Sequence, residues 1–368
     1  MTVTALDRRM MAAAIRLSRR NEGRTASNPS VATLIVRDDG VGPIVVGRGV
    51  TAIGGRPHAE TVALAEAGEA ARGATAYVTL EPCAHHGRTP PCAEALVAAG
   101  VVRVVAATTD PDARVSGKGY AILREAGIAV EAGVLEQEAR RAMAGYLMQR
   151  MRNRPHVTLK LAVSVDGFIG REGAGQVAIT GAVSRAQVHL MRARTHAILV
   201  GIGTVLADDP ELTCRLSGLE DRSPSRIVLD PDLRTPLGSK LLKTARDTPV
   251  LLATTRPLAD AGRSPVEEAG GQFLAAVPAD GGIALPELLD DLAARGINSL
   301  MVEGGARVAR SFLDERLVDR LALYTSTREI GAGGVPAPVT HDSLPEGFTL
   351  KRSAAYGDDL YEEFERDA

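Results

Sequence analysis

The chain has 368 residues, a formal net charge of -2 and 45% hydrophobic residues, enough for two globular domains without disulfide support. The balance of 43 basic against 45 acidic residues argues against a disordered chain and against a large basic surface for nucleic acid. With five Phe, six Tyr and no Trp, an aromatic platform for stacking single-stranded bases is not expected. Three cysteines are typical of a reducing compartment, so we expect a cytoplasmic protein.

The first twenty residues predict an amphipathic surface helix. Leu6, Met10, Ala13 and Leu17 recur at helical spacing, and arginines are scattered among them instead of preceding an unbroken apolar run. A mitochondrial presequence is a weaker alternative, because Asp7 interrupts it and serine is sparse. The sequence has no apolar run of about 18 residues, so no membrane partner is expected.

Strand and helix patterns alternate over residues 1–150. The predicted strands are 31–36, 44–46, 77–80 and 101–107, and the predicted helices are 59–72 and 93–99. A segment bearing Arg, Asn and Pro at 150–155 then precedes a new strand. We therefore expect one α/β domain over residues 1–150 and a second domain over 151–368.

The second half alternates in the same way. Its predicted strands are 157–163, 197–200, 226–229, 250–253, 299–302 and 321–324, and its predicted helices are 184–194, 285–295 and 306–315. A Gly- and Pro-rich stretch at 331–345 predicts a loop. This half is also α/β.

A set of metal-binding side chains is the strongest chemical signal. His58 and Glu60 begin a predicted helix, and Cys83 and Cys92 follow a predicted strand. One imidazole and two thiolates suit tetrahedral Zn²⁺ with a fourth position left for water, which is the arrangement of a catalytic zinc site. Glu60, two residues from His58, is placed to carry a proton beside the metal. This is the pattern of the zinc deaminases that act on nucleobase-like rings.

A structural zinc site is the alternative interpretation. Such sites usually have four protein ligands, and His85 or His86 could supply the fourth. Two buried cysteines without metal are a further possibility.

Glu303, Gly304 and Gly305 follow a predicted strand and open a helix, where glycines let a phosphate approach the backbone. The spacing is not that of a Rossmann fingerprint. From this segment alone, a phosphate site and a turn that merely needs glycine are equally good interpretations. Lys160 on an apolar strand is harder to explain as an ordinary surface charge.

Several segments resemble one known family. The string TLEPCAHHGRTPPC and the segment beginning at Asn28 resemble the deaminase domain of the bifunctional riboflavin-biosynthesis deaminase–reductases. Residues 157–167 and 201–213 resemble its reductase domain. The resemblance implies a cytidine-deaminase-like three-layer domain followed by a dihydrofolate-reductase-like α/β domain.

The resemblance also implies two reactions on a small phosphorylated pyrimidine. The first is Zn²⁺-dependent hydrolytic deamination of 2,5-diamino-6-ribosylamino-4(3H)-pyrimidinone 5′-phosphate. The second is reduction of the ribosyl group to ribityl with NADPH. A homo-oligomer is expected as well, with neither nucleic acid nor membrane as a partner.

The family's functional residues carry over to matching positions. In the deaminase half the resemblance implies His58, Cys83 and Cys92 as zinc ligands, Glu60 as proton shuttle, and Asn28 and Arg88 as substrate contacts. A solvated loop charge is the alternative for Arg88. In the reductase half it implies that Val163, Thr204, Asp208, Gly305, Ala306 and Arg307 contact NADPH, and that Arg192, Leu212, Arg215 and Glu303 contact the substrate. Lys160 and Asp208 are the candidate charged groups near the reacting carbon.

One departure from the family pattern concerns the cofactor. The family often has a Trp before Ile-Thr-Gly, whereas here Ala178 stands before Ile179, Thr180 and Gly181. This departure keeps open an alternative in which the chain is a deaminase only, and its second half is a cofactor-poor binding or oligomerisation module. A nucleic-acid-editing deaminase is a third possibility, but it would need a basic face and an aromatic channel.

Overall fold

A computed structural model describes residues 3–86, 90–257, 259, 262–280 and 282–367. The chain forms two compact units, one ending at Asn153 and the other beginning at Arg154. Among the described residues, no helix is both long and apolar enough to cross a membrane.

The N-terminal unit is built around a five-stranded sheet. In chain order its elements are α1 Ala5–Ser18, β1 Ala32–Asp38, β2 Pro43–Val50, α2 Ala59–Ala67, β3 Thr75–Val78, α3 Cys92–Ala98, β4 Arg103–Ala106, α4 Lys118–Glu125, β5 Ala129–Ala132, α5 Glu136–Ala142 and α6 Ala144–Arg152. The strand order is β2-β1-β3-β4-β5. β1 is antiparallel to both of its neighbours, whereas β3, β4 and β5 are parallel.

Alternation along β1 creates the three layers. Leu34 pairs with Tyr77, and the Tyr77 hydroxyl reaches α1, so these side chains lie on the face that α1 covers. Thr33 and Ile35 point to the opposite face, because successive strand residues alternate. α2 packs on that face and contacts α3, which in turn contacts α4.

Helix α1 confirms the predicted N-terminal helix, and its buried face is wider than the predicted apolar stripe. Its buried residues include Met11, Ala14 and Ile15, one position beyond the stripe predicted from Leu6, Met10, Ala13 and Leu17. These four are partly buried, and the last three of them pack against the same core. Asp7 lies on this wider face, and its carboxylate turns inward. It accepts two hydrogen bonds from Arg103, at 2.7 and 3.0 Å, and one from the Tyr77 hydroxyl at 2.9 Å.

The C-terminal unit has more elements. They are β6 His156–Val163, β7 Phe168–Arg171, α7 Ala182–Arg192, β8 Ala197–Gly201, α8 Ile202–Asp208, β9 Ser225–Leu229, α9 Lys240–Lys243, β10 Val250–Thr254, α10 Arg263–Glu268, β11 Gln272–Ala275, β12 Pro278–Ala279, β13 Gly282–Ile283, α11 Leu285–Ala294, β14 Ser299–Glu303, α12 Ala306–Asp314, β15 Arg320–Thr325, β16 Gly334–Pro336, β17 Phe348–Tyr356 and β18 Asp359–Arg366.

A nine-stranded sheet in the order β11-β10-β9-β8-β14-β6-β15-β18-β17 organises this unit. The seven strands from β11 to β15 are parallel, and β18 and β17 add an antiparallel edge. Leu199 belongs to a different apolar cluster from its neighbours Ile198 and Val200, so both faces of β8 are covered. The parallel order brings the carboxyl ends of β8, β14 and β6 to one edge.

Each strand predicted from the sequence overlaps an observed strand. The helix predicted at 59–72 is shorter, because Gly68 has φ +52° and the chain continues as a 3₁₀ turn. The hairpin of β17 and β18 was not predicted, since most of β17 is exposed on both faces and shows no alternation. The loop predicted at 331–345 contains the short β16.

Replacing Asp7 by Asn should weaken the N-terminal unit. Arg103 would lose its buried counter-charge, so we expect the free energy of unfolding to fall by about 3 kcal/mol at neutral pH. Burial alone would raise the pKa of Asp7, but hydrogen bonds from Arg103, Thr4 and Tyr77 outweigh it and hold the pKa well below its usual range. The stabilising contribution is therefore present above the unfolded pKa of about 3.9 and is lost as pH falls through the folded pKa.

Urea denaturation at neutral pH and at about pH 3 measures the stability lost on substitution of Asp7 and the dependence of that loss on pH. Asp39→Asn is the matched control, because Asp39 pairs with Arg37 at 2.7 Å but its side chain is 61% exposed. We expect the control to change stability by less than about 0.5 kcal/mol. Equal losses in the two variants would contradict the interpretation.

Candidate active sites

The start of α2 is pressed against β2 at the first candidate site. A Cβ at Gly49 would lie 2.0 Å from the carbonyl oxygen of Ala59, and one at Gly47 would lie 2.2 Å from that of Ala63. Only glycine permits this approach of helix and strand. As a result His58, at the N-cap, and the first turn of α2 lie directly against the sheet.

Three ligand atoms converge at this point. Cys83 follows β3, Cys92 begins α3, and their sulfur atoms lie 3.7 and 3.4 Å from Nδ1 of His58. The potential ligand atoms of all three residues lie within 4.8 Å of one another. Zinc bonds of about 2.3 Å to sulfur and about 2.0 Å to nitrogen, at tetrahedral angles, would separate such atoms by about 3.5 Å. The donor set therefore fits Zn²⁺.

Among the described residues, no fourth His, Cys, Asp or Glu joins this cluster. Nε2 of His86 instead lies 3.4 Å from a carboxylate oxygen of Glu94. This disfavours the four-ligand structural site that His85 or His86 would have completed.

The electrostatics of the cluster favour one thiolate, because the hydrogen bond with Cys83 and burial raise the pKa of Cys92 while the pKa of Cys83 is lowered. Hydrogen bonds from Cys92 and His58 lower the pKa of Cys83 to about 4, and the backbone N–H of Cys92 donates to its sulfur at 3.2 Å. Glu60 is 4% exposed. Burial, together with the negative charge of Cys83, raises the pKa of Glu60 to about 7. Glu60 is thus a carboxyl group that can hold or release a proton near neutral pH.

Asn28 lies on the loop before β1 and is half-buried. The Thr25 hydroxyl donates to its carbonyl oxygen at 2.7 Å. A Cβ at Gly55, which has φ +89°, would lie 2.3 Å from Nδ2 of Asn28. The Asn28 side chain therefore packs against the backbone just before His58. Arg88, also predicted as a substrate contact, lies outside the described residues.

Glu81 is a buried carboxyl group that no sequence motif indicated. Its buried carboxylate accepts backbone hydrogen bonds from Asp110, Gly117 and Gly119 at 3.0 to 3.3 Å. These bonds fasten the loop after β4 to the strand end that leads to Cys83. Its place immediately before Pro82-Cys83 was the available signal, but the partners are backbone groups and leave no trace in the sequence.

The second candidate site lies at the carboxyl edge of the nine-stranded sheet. Lys160 of β6 is paired in register with Glu303 of β14, so their side chains share a face. Nε and Nη2 of Arg192, on α7, donate to the two carboxylate oxygens of Glu303 at 2.9 and 2.8 Å. The Lys160 ammonium lies 5.9 Å from the ring centre of Tyr324, a neighbour that sequence reasoning missed.

Burial and charge compete in this group. Burial lowers the pKa of Lys160, and Glu303 partly opposes that shift. Burial would raise the pKa of Glu303, but Arg192 and Lys160 hold it at about 2. Arg192 and Glu303 therefore form an ion pair in which each side chain is 11% exposed, and with Lys160 on the same face they make up the charged group of this site.

The glycines after β14 form a narrow cradle. Gly304 has φ +141°, and a Cβ there would lie 2.9 Å from Oγ1 of Thr204. The backbone N–H of Gly305 donates to the same hydroxyl at 3.1 Å. Gly305 is exposed, and α12 begins directly after it with Ala306 and the exposed Arg307. An exposed helix N-terminus behind a glycine turn fits the phosphates of a dinucleotide such as NADPH.

The remaining predicted residues lie on β6, on α8 and on the segment that follows α8. Val163 ends β6, and Asp208 ends α8, where burial raises the pKa of its carboxyl group. Arg215 is exposed and pairs with Glu211 at 2.9 Å. The Leu212 side chain is 4% exposed and joins an apolar cluster. Only the backbone of Leu212 is therefore available to a ligand.

The segment that lacks the tryptophan is anchored by distant residues. Ala178 is exposed, and its carbonyl oxygen accepts a hydrogen bond from Arg328 at 3.2 Å. The carboxylate of Asp359 accepts from the backbone N–H of Gly181 at 2.8 Å and from the Ser184 hydroxyl at 2.6 Å. Both anchors lie well over a hundred residues along the chain, so no local pattern could have indicated them.

Comparisons with known proteins agree with this geometry. The RibD C-terminal domain family matches residues 155–361, and the family of the cytidine and deoxycytidylate deaminase zinc-binding region matches residues 4–108. The riboflavin biosynthesis protein RibD of Aquifex aeolicus is 38% identical over 366 residues, covering 99% of each chain. That of Escherichia coli is 39% identical over 332 residues, covering 89% of each chain.

Solved structures are similar over almost the whole chain. Form 1 of Acinetobacter baumannii RibD has a TM-score of 0.84 and 36% identity, covering 98% of this chain and 99% of that one. The deaminase/reductase from Thermotoga maritima has a TM-score of 0.85 and 33% identity, also covering 98% and 99%. The chain therefore belongs to the family of bifunctional riboflavin-biosynthesis deaminase–reductases, which combine a zinc-dependent deaminase with an NADPH-dependent reductase.

Proposed function

We propose that residues 1–150 carry out the deamination and residues 151–368 the reduction. The single observation that carries the first assignment is the convergence of one imidazole and two sulfur atoms beside the buried Glu60. The proposed substrate is the diaminopyrimidinone ribosyl phosphate, whose ring 2-amino group leaves as ammonia and is replaced by oxygen from water.

In the deaminase, His58, Cys83 and Cys92 would hold Zn²⁺. The metal, when bound, lowers the pKa of water and so supplies a nucleophile at neutral pH. Glu60 takes up the proton that this water loses and delivers it to the departing amine. Burial of Glu60 supports this role, since the proton is passed out of contact with bulk solvent.

Recognition of the pyrimidine would fall to the loops around this centre. Asn28 contacts the ring, which its half-buried amide beside Gly55 supports. Arg88 meets the sugar phosphate, because a guanidinium offers paired donors to phosphate oxygens.

In the reductase, the cofactor would lie along the carboxyl edge of the sheet. NADPH supplies the hydride that reduces the opened ribosyl group. Val163, Thr204, Asp208, Gly305, Ala306 and Arg307 are the proposed cofactor contacts. The glycine cradle beside Thr204 supports this placement, since its open backbone and helix N-terminus suit phosphate groups.

The sugar phosphate and pyrimidine would contact Arg192, Leu212, Arg215 and Glu303. Lys160 and Asp208 are the proposed charged groups next to the reacting carbon. Arg192 and Lys160 hold the pKa of Glu303 at about 2, so Glu303 is an anion on the same face of the sheet as Lys160. Positioned charges of this kind stabilise the charge that develops at the amine during reduction.

A deaminase with a cofactor-poor second half is the alternative. The RibD C-terminal domain match over residues 155–361 and the glycine cradle both favour the bifunctional enzyme. The feature that favoured the alternative, the missing tryptophan, reduces one cofactor contact and leaves the phosphate cradle intact.

Homo-oligomeric assembly and a cytoplasmic location complete the proposal. Two of the three free cysteines lie in the proposed metal cluster, where they must be reduced, and this supports a reducing compartment. Light scattering of the purified chain measures its assembly state.

The purified chain should contain about one zinc per polypeptide. Cys92→Ser removes a soft ligand from the three-residue cluster, so we expect the metal content to fall well below that value. Cys214→Ser is the control, because Cys214 is buried outside the cluster. Elemental analysis after gel filtration makes the comparison, and an active wild type without metal would refute the assignment.

Glu60→Gln should keep the zinc, because the three ligands remain. Its rate of ammonia release should fall at least about 100-fold, because the proton carrier is removed. Glu66→Gln is the matched control on the same helix, where Glu66 accepts from the Arg48 backbone at 2.9 Å. With the diaminopyrimidine phosphate, only the wild type and the control should consume NADPH. With the deaminated pyrimidine, Glu60→Gln should consume NADPH normally. Unchanged ammonia release would remove Glu60 from the mechanism.

Ala178→Trp should tighten NADPH binding by about fivefold, since an added aromatic contact contributes about 1 kcal/mol. The substitution also introduces the only tryptophan of the chain. Leu350→Trp on the exposed face of β17 is the control and should bind NADPH as the wild type does. Nicotinamide fluorescence titration gives the dissociation constants, and equal values for both variants would show that position 178 does not meet the cofactor.

A further inference from the structure

Arg226 is a buried cation that the proposed reactions do not use. Its side chain has no exposed surface, and on β9 it is paired between Ile198 of β8 and Val250 of β10. These neighbours belong to an apolar cluster that also contains Leu212. Burial lowers the pKa of Arg226 to about 10, so it stays charged at neutral pH. A charge in such a place must be compensated by its hydrogen bonds.

The partners of Arg226 are carbonyl oxygens and one hydroxyl. Nη1 donates to the carbonyl oxygen of Glu211 at 3.2 Å and to Oγ1 of Thr244 at 2.7 Å. Nη2 donates to the carbonyl oxygen of Thr244 at 3.0 Å and to that of Thr248. One guanidinium therefore joins the chain after α9 to the segment that follows α8.

That segment is held from two sides. Leu212 has φ +57°, a left-handed conformation that a leucine adopts only under tertiary constraint. The carbonyl oxygen before it belongs to Glu211 and is bound by Arg226. The carbonyl oxygen after it belongs to Thr213 and accepts from Nη1 of Arg192 at 3.1 Å.

We propose that Arg226 is a positioning residue that fixes the backbone of residues 211–215 in the shape needed to bind the pyrimidine substrate of the reductase. The inference rests on the proposed function, in which Leu212 and Arg215 contact that substrate. Arg226 itself lies within the core and acts through the Glu211 carbonyl. The cofactor cradle at Gly304 and Gly305 shares none of these hydrogen bonds.

The test compares Arg226→Met, Arg226→Lys and wild type as full-length holoenzymes, supplied with NADPH and the deaminated pyrimidine phosphate. Arg226→Met should raise the KM for the pyrimidine by about tenfold or more, because a small displacement of a binding segment is costly. Its NADPH dissociation constant, measured by nicotinamide fluorescence, should be unchanged, and kcat should fall less than KM rises. Arg226→Lys, which keeps the charge and a donor, should recover part of the KM.

Arg246→Met is the matched control. Arg246 also donates from its guanidinium to a carbonyl, that of Glu268 at 2.7 Å, but it is exposed and does not reach residues 211–215. The control should keep the wild-type KM. If Arg226→Met does not fold, Arg226→Lys is compared with the wild type instead. A raised KM for the pyrimidine with an unchanged NADPH dissociation constant then supports the inference.

Two results would overturn the inference. One is an unchanged KM in folded Arg226 variants, and the other is an equal loss of pyrimidine and NADPH binding, as a general structural defect would give. Failure of the wild type to oxidise NADPH with the deaminated pyrimidine would instead refute the proposed function, so the two failures are distinguishable.

Discussion

A charged side chain that leaves water must find a compensating charge or dipole within the protein, and this constraint shapes both units. In the N-terminal unit, Asp7 is buried only because Arg103 and Tyr77 meet its carboxylate, and α1 is oriented accordingly. In the C-terminal unit, Glu303 is buried against the fork of Arg192. Each compensated charge fixes the relative position of two elements, because moving either element would leave an unpaired ion inside the protein.

In both candidate sites, residues that follow parallel strands are brought together at one edge of a sheet. Polar residues that follow parallel strands meet at one edge of the sheet, where main-chain groups are not yet satisfied. Glu81 and Cys83 follow β3, and Glu81 fastens the loop that follows β4. In the other unit, Gly305 follows β14 and bonds to Thr204, which lies just beyond β8. The strands supply the rigidity, and the segments beyond them supply the chemistry.

The sequence predicted the parts of the molecule that depend on local pattern. Apolar runs indicated the buried strands of both sheets, and the motif around His58 and Cys83 indicated the metal centre, because ligand type and spacing are local properties. The buried face of α1 was predicted too narrowly, since an acidic residue such as Asp7 is counted as exposed until its partner, Arg103, is known. β17, the outer strand of the C-terminal hairpin, lacks alternation because most of it is exposed on both faces.

Residues that act through distant backbone groups escaped prediction for a different reason. The carboxylate of Glu81 binds amides of the 110–119 loop, and Arg226 binds carbonyl oxygens of Glu211, Thr244 and Thr248. Every residue type offers such amides and carbonyls, so the partner positions have no characteristic residue type.

The two sites also differ in how far apart their residues lie along the chain. The metal cluster is drawn from residues 58 to 92, so a few short connections around β3 bring it together. The charged group of the reductase spans residues 160 to 303, and its geometry depends on the packing of the whole parallel sheet. In the reductase, the bidentate ion pair between Arg192 on α7 and Glu303 on β14 holds the site residues in place. In the deaminase, the short connections do this. The ion pair fixes the distance and the angle between two elements, and a single hydrogen bond between flexible side chains would fix neither.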